Sequence, residues 1–225
     1  MINITNPYPY QELKRKSIDG KRLYENPWGD PVPSVTTILD KTKPREKREA
    51  LQRWRKRVGT VEAQRITTEA ADNGTRMHAI LESWTKNEEY TGTTTILSQK
   101  MADVIISKIK DDVDEVWGSE VNLCAANLYA GTTDLVGVYK GKPTIMDFKQ
   151  TNKPKKREWI DDYFLQGAAY ALAHNEMFET DIQNIAIFMC SRDCEWQLFE
   201  VDISEFSNWS YKWAKRLEEF YTLSV

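Results

Sequence analysis

The spacing of apolar residues predicts helices in the first half of the chain and at its end. Over residues 97–117, apolar side chains recur every three or four positions, as on a helix with one buried face: Met101, Val104, Ile105, Ile109, Val113 and Val116. The same period predicts helices over residues 44–58, 155–175 and 60–86, the last with an interruption open at Asn73-Gly74. A C-terminal helix is predicted to begin at Ser204, a good N-cap residue.

The period changes in the centre of the chain. Residues 119–150 predict three consecutive strands, with Gly131 before the second and a turn at Gly141 before the third. Residues 184–192 and 195–202 predict two more strands around a tight turn. Residues 1–33 predict loop with a short hairpin. This order predicts an α/β fold in which helices flank a mixed β-sheet.

The chain shows no linker that would separate two independent domains. We expect one domain over residues 1–225, with loops and helices in 1–117 and a sheet core plus the last helix in 118–225. Its 40% hydrophobic and 29% charged residues are typical of a soluble globular protein. Without an apolar run of membrane-spanning length or an N-terminal signal sequence, the expected location is the cytoplasm, with no membrane partner.

Three cysteines, Cys124, Cys190 and Cys194, form no paired framework and indicate reduced thiols. The last two are spaced as in some metal sites, but small residues in or near a strand are the simpler interpretation.

Basic residues are concentrated in two segments, although the net charge is −3. Residues 41–58 contain nine basic and two acidic residues, and a second basic run covers residues 149–157. Both could flank one groove for a polyanion; a solvated helix face is the alternative for the first run. In the first run we expect nucleic-acid contacts from Arg53, Trp54, Arg55 and Arg57, and in the second from Lys153 and Lys155. The side chain of Trp54 could stack on a base, or it could pack on the core.

The segment Thr144–Gln150 places two charged residues in an otherwise apolar strand. Asp147 and Lys149 alternate with apolar neighbours and therefore share one face of the strand. The preceding strand contains Asp134, which an antiparallel neighbour could bring alongside. Two adjacent carboxylates can hold a divalent cation, and an amine beside them can stabilise the transition state of a phosphoryl reaction. A salt bridge on an edge strand is the alternative.

This D–(12 residues)–D-x-K pattern resembles that of the PD-(D/E)XK nuclease superfamily. Gln166 and Tyr170 resemble the Q-x-x-x-Y motif of RecB-like nucleases, and His78 resembles the histidine of their G-x-x-x-H helix. The segments "PSVTTIL" and "WSYKWAKRLEEFY" resemble the flanks of the mitochondrial genome maintenance exonuclease type and its phage-encoded relatives. The resemblance covers residues 31–222.

The resemblance implies a restriction-endonuclease-like sheet, with N-terminal helices forming an arch or wall over the active site. It implies a Mg²⁺ or Mn²⁺ site formed by Asp134, Asp147, the Phe148 carbonyl and His78, with Lys149 as the catalytic lysine and Gln166 as an orienting residue. Simpler interpretations exist for these residues. His78 could form an ion pair with Glu82 on its own helix, and Gln166 and Tyr170 could lie on a packed helix face. Glu120 is expected to have a structural role. Thr151 and Tyr170 are further candidates for nucleic-acid contact. No iron–sulphur cluster is expected from three cysteines.

The implied activity is metal-dependent hydrolysis of single-stranded DNA from a free end, in replication, recombination or repair. The alternatives are a structure-selective or double-strand endonuclease on the same core, a catalytically silent nucleic-acid-binding adaptor, and an unrelated α/β domain with a surface ion pair. If the chain is phage-encoded, the cytoplasm would be that of the host.

Overall fold

The chain forms two β-sheets, the larger of which carries helices on both faces. The computed structural model describes residues 1–18 and 21–223. The strands are β1 (Arg15–Ile18), β2 (Lys21–Asn26), β3 (Gly29–Pro33), β4 (Val113–Ala125), β5 (Tyr129–Tyr139), β6 (Lys142–Thr151), β7 (Asn184–Ser191) and β8 (Trp196–Val201). The helices are α1 (Val35–Lys41), α2 (Arg45–Val58), α3 (Thr60–Thr85), α4 (Ile96–Ile109), α5 (Asp161–Phe178) and α6 (Ile203–Thr222). A 3₁₀ turn over Arg157–Trp159 precedes α5.

The larger sheet has the strand order β4-β5-β6-β7-β8. All neighbouring strands are antiparallel except β6 and β7, which are parallel and are joined by α5. A parallel pair needs such a crossover, because the chain must return to the same end of the sheet. The predicted mixed α/β fold is therefore confirmed, and β6 lies at the centre of the sheet, which excludes the edge-strand alternative for Asp147 and Lys149.

Two apolar cores sandwich this sheet. On one face α1 contributes aliphatic side chains, and α5 and α6 pack through large aromatic ones, with Phe164 and Trp209 at a ring separation of 4.8 Å. On the other face α3 and α4 bury Met77 and Met101, both fully inaccessible, against Phe148 of β6. Residues of β6 thus alternate between the two cores, as a central strand requires.

The helix α5 approaches the sheet closely at Gly167. A Cβ atom there would lie 2.5 Å from Cγ2 of Ile185, a distance that real side chains do not adopt. The absent side chain lets the backbone of α5 lie directly against Ile185 of β7.

Several predicted boundaries were wrong. The helix predicted over 97–117 ends at Ile109, and Val113 and Val116 belong to β4, where Val113 pairs with Tyr139. The last helix is capped by Asp202, whose carboxylate accepts from the Ser204 backbone N–H, and not by Ser204.

Other differences concern glycines and the N-terminal region. The helix α3 runs through Asn73-Gly74 without interruption, and Gly131 lies inside β5. Residues 1–33 contain three strands rather than one hairpin. Within residues 1–18 and 21–223, no helix is both long and apolar enough to span a membrane.

Candidate active site

Three acidic residues lie on three adjacent strands. Glu120 of β4 falls between the pairs Ser119–Leu135 and Val121–Thr133, which places it opposite Asp134 of β5. The next pair along β5 and β6 is Leu135–Met146, so Asp134 in turn comes alongside Asp147. The Oδ2 atom of Asp134 accepts a 2.7 Å hydrogen bond from the Phe148 backbone N–H. The predicted proximity of Asp134 to the Asp147 strand is present in the structure.

His78 reaches this group from α3. Its Nδ1 atom lies 3.5 Å from Oδ1 of Asp134, and its ring meets Phe148 edge-on. Glu82, the alternative partner, pairs with Lys86 instead. One ligand atom from each of His78, Glu120 and Asp134 lies within 4.8 Å of the others. These three side chains could therefore hold a single ion.

The donor set fits a small divalent cation. Two carboxylates and an imidazole suit Mg²⁺ or Mn²⁺ better than soft metals, which favour thiolates. Asp147 adds a third carboxyl next to the group, and its buried Oδ2 faces the Lys149 ammonium. A bound cation would reduce the electrostatic repulsion between these neighbouring carboxylates. Of the metal ligands predicted from sequence, the structure groups His78 and Asp134 with Glu120 and sets Asp147 beside Lys149.

Lys149 lies between a carboxylate and an aromatic ring. Its Nζ atom is 2.5 Å from Oδ2 of Asp147 and 5.1 Å from the ring centre of Tyr163, at the start of α5. Both contacts favour the charged ammonium. The side chain is 18% exposed, so the amine can still be reached from solvent. Tyr163 was not anticipated from the sequence, because its approach to Lys149 depends on how α5 crosses the sheet.

The charges of the site shift each other's proton affinities. Burial alone would lower the pKa of Lys149, but the two aspartates raise it above its usual value. Burial, reinforced by Asp134, raises the pKa of Asp147 despite the neighbouring ammonium. Burial opposes the charged forms of His78 and Asp134 as well, yet their mutual attraction raises the pKa of His78 and lowers that of Asp134. Without a cation, the site therefore favours a charged lysine next to a weakly acidic Asp147.

Glu120 was expected to be structural, but the structure places it in the cluster. Its burial and the nearby Asp134 raise the pKa of Glu120 to about 7. Its φ of 53° is unusual for a residue other than glycine, and such backbone strain is characteristic of functional sites. The signal in the sequence was the hairpin itself: counting back from the Ala125–Tyr129 pair puts Glu120 opposite Asp134.

Gln166 and Tyr170 form one unit on α5. The amide of Gln166 donates a 3.1 Å hydrogen bond to the Tyr170 hydroxyl. Tyr170 is only 3% exposed and lies over Gly131, where a Cβ atom would come within 2.6 Å of its ring. Tyr170 is thus a buried support for Gln166, and its side chain is not presented to a nucleic acid.

The basic helix α2 lies near the start of α5. It has no fully buried residue, and its Lys47 reaches to 4.0 Å from Asp162. Arg53 is largely exposed beside Glu49, and Trp54 is half-buried. Burial raises the pKa of Tyr163, and the Lys149 ammonium opposes this rise, with a smaller opposing effect from Lys43 just before α2. One end of the first basic run therefore adjoins the site; Arg55 and Arg57 are exposed along the same helix.

The residues of the second basic run differ in their exposure to solvent and in their partners. Thr151 is 5% exposed and donates to the Lys153 carbonyl, so it is an internal residue. Lys153 is exposed, and Lys155 is half-buried with its backbone bonded to Gln197. Arg157 is bound to Glu205 at 2.7 Å. Lys153 thus remains the most accessible of the predicted phosphate contacts in this run.

The three cysteines are free thiols, with Cys124 and Cys190 buried and Cys194 half-buried. Among the described residues, none of them joins a group of potential metal ligands.

No family model matches the chain. Among solved structures, a protein from Eubacterium rectale superimposes on 65% of this chain and 64% of its own with a TM-score of 0.46 and 13% identity, a likeness too low to carry weight.

Curated proteins show a closer relationship. The chain is 30% identical over 208 residues to mitochondrial genome maintenance exonuclease 1 of Xenopus tropicalis, and 30% identical over 203 residues to that of Mus musculus. The human protein of the same name is 28% identical over 207 residues. The matches cover 84% of this chain and 57 to 59% of these relatives, so the chain spans less than three fifths of their length. Over most of its own length the chain is thus similar in sequence to the mitochondrial genome maintenance exonuclease 1 proteins, which confirms the resemblance predicted from its motifs and flanking segments.

Proposed function

We propose that the protein is a metal-dependent nuclease of the PD-(D/E)XK type, built as a single nuclease domain. The observation that carries this proposal is the convergence of His78, Glu120 and Asp134 within 4.8 Å, next to the Asp147–Lys149 pair. The sequence relatives, which are named as exonucleases, support the same activity. An unrelated α/β domain would have no reason to bury these charges at the centre of its sheet, where each costs desolvation energy.

His78, Glu120 and Asp134 would hold Mg²⁺ or Mn²⁺, with Asp147 and the Phe148 carbonyl adjacent. When bound, the ion would supply Lewis-acid polarisation of the phosphodiester and a more acidic water. Lys149 is held charged by Asp147 and Tyr163, so its role is to stabilise negative charge on the phosphate in the transition state rather than to act as a base. Gln166, fixed by Tyr170, orients the phosphate or the lysine.

We further propose single-stranded DNA with a free end as the substrate. The exposed arginines of α2 and the exposed Lys153 would contact phosphates without reading sequence. Gly74 of α3 lies against Gln150 and His78 against Asp134, so the N-terminal helical region forms one wall of the site. A strand that must pass this wall to reach the site is expected to enter by its end.

End-labelled linear single strands, duplexes and single-stranded circles, incubated with Mg²⁺, Mn²⁺ or EDTA, test the proposal. We expect degradation of linear single strands that EDTA abolishes. Efficient cutting of circles would favour an endonuclease, and intact DNA under all conditions would favour the silent adaptor.

Two variants separate chemistry from binding. Lys149→Ala should retain DNA binding while turnover drops by a factor of about 100 or more, because charge stabilisation is lost only in the transition state. Neutralising Arg53, Arg55 and Arg57 together should weaken binding and flatten its salt dependence. An unchanged salt dependence of binding would show that α2 does not contact the DNA.

A further inference from the structure

Trp159 is an exposed indole in the 3₁₀ turn before α5. It is 56% exposed, whereas Trp209 and Trp213 of α6 are 7% and 1% exposed. A single exposed apolar residue is ordinary on a protein surface and by itself says nothing about function. Its surroundings are what distinguish it.

One lysine lies against the indole, and a second exposed lysine precedes it in the chain. The Nζ atom of Lys156 lies 5.5 Å from the centre of the Trp159 ring, and Lys153 is exposed a few residues earlier. Within residues 1–18 and 21–223, neither lysine is part of a salt bridge. Arg157, by contrast, is bound to Glu205 and to the carbonyl of Glu200. Lys153 and Lys156 are therefore available to an anionic ligand beside the indole.

Trp159 is also close to the candidate active site along the chain. Four residues later, Tyr163 places its ring 5.1 Å from the Lys149 ammonium. Tyr163 is tied to the same turn, since its backbone N–H donates to the carbonyl of Ile160 at 2.9 Å. Trp159 thus belongs to the turn that leads into α5, four residues before the side chain that contacts Lys149.

We infer that Trp159 stacks against a nucleobase of the substrate strand next to the cleaved phosphate, while Lys153 and Lys156 contact the flanking phosphates. The inference rests on the proposed nuclease function and adds a base-binding position to it. An aromatic ring among lysines suits a single strand, because every base offers a face for stacking and every nucleotide a phosphate. A duplex would keep its bases stacked on one another and out of reach of this ring.

The test measures binding in EDTA, which prevents cleavage, with two strands of equal length: oligothymidylate and a fully abasic backbone. Trp159→Ala should weaken oligothymidylate binding by about 5- to 100-fold, the range for loss of one stacked base. It should leave abasic binding unchanged and should not alter the salt dependence, because no phosphate contact is lost. Trp159→Phe should retain most of the affinity.

Trp28→Ala is the matched control. Trp28, in the turn between β2 and β3, is 54% exposed, so its replacement removes about as much exposed indole surface as replacement of Trp159. It belongs to a different segment of the chain from the two lysines. Binding should not change in this variant.

Equal affinity of Trp159→Ala and the unaltered protein for oligothymidylate would overturn the inference, and would leave the indole as a surface for a protein partner. Equal losses on both strands would overturn it too, since the effect would then come from local charge or packing. If the unaltered protein neither binds nor cleaves any strand, the proposed function fails together with the stacking. Binding that is insensitive to Trp159 refutes the stacking alone.

Discussion

Protonation of His174 should destabilise the folded protein. This residue of α5 is fully buried among aromatic rings, with centroids 5.0 Å from Tyr8 and 4.9 Å from Phe178. Its Nε2 shares a 2.9 Å hydrogen bond with the Tyr10 hydroxyl, and its Nδ1 shares one of 2.8 Å with Thr180. Burial lowers the pKa of His174 from 6.5 to about 4. The neutral ring therefore pins the N-terminal segment to α5.

The sign and size of the effect follow from this pKa. Between pH 6.5 and 4 the unfolded chain binds a proton at His174 that the folded chain does not, so the free energy of unfolding falls as the pH falls through this window. A tenfold change in proton affinity equals about 1.4 kcal/mol, so lowering the pKa from 6.5 to about 4 corresponds to a loss of about 3 kcal/mol by pH 4. This is a substantial part of the stability of a typical domain.

The assay is urea denaturation at pH 7, 6, 5 and 4 in EDTA, with the unaltered protein and His174→Gln. The variant is less stable at pH 7 because packing is lost, but it should lose about 3 kcal/mol less than the unaltered protein on going to pH 4. His78→Gln is the control, because the pKa of His78 is raised and its protonation should favour the folded state as the pH falls. Parallel pH profiles for the unaltered protein and His174→Gln would refute the reasoning.

Three substitutions near the site have distinct expected outcomes. Glu120→Gln should keep the fold but lower Mn²⁺ affinity by about tenfold or more in titration calorimetry, because one anionic ligand is lost; unchanged affinity would exclude Glu120 as a ligand. Tyr163→Leu should lower kcat by about 2- to 30-fold with little change in KM, whereas Tyr163→Phe keeps the ring over Lys149 and most of the rate; equal rates in both variants would exclude a positioning role. Gly131→Ala should cost about 1–3 kcal/mol in chemical denaturation, because the new methyl group collides with Tyr170; an unchanged midpoint would show that the ring yields freely.

Two elements were predictable almost to the residue, because Pro44 and Gly59 delimit the basic helix and a continuous apolar run marks a strand buried on both faces. The predicted helix over 44–58 is observed as Arg45–Val58, and the predicted strand over 184–192 as Asn184–Ser191. The proximity of Asp134 to β6 was also predictable, since a short turn at Gly141 fixes how two antiparallel strands align.

Other features depend on contacts that the local sequence does not contain. The spacing of Val113 and Val116 fits a longer helix equally well, and only pairing with β5 makes them part of a strand. Helical propensity is too weak to prevail over a ladder of backbone hydrogen bonds. Glu120 is a similar case, because its role became visible only when the register of the β4–β5 hairpin was known.

The helix α5 determines the surroundings of Lys149 on one side of the site. Tyr163, Gln166 and Tyr170 follow one another at intervals of three and four residues, so they share the face of α5 that meets the sheet. The distance between that face and the strands is set at Gly167, where the helix backbone contacts Ile185. A larger residue at Gly167 would push all three side chains away from the sheet at once. The contact of Tyr163 with Lys149 and the packing of Tyr170 over Gly131 would then be lost together, although neither Tyr163 nor Lys149 had been changed.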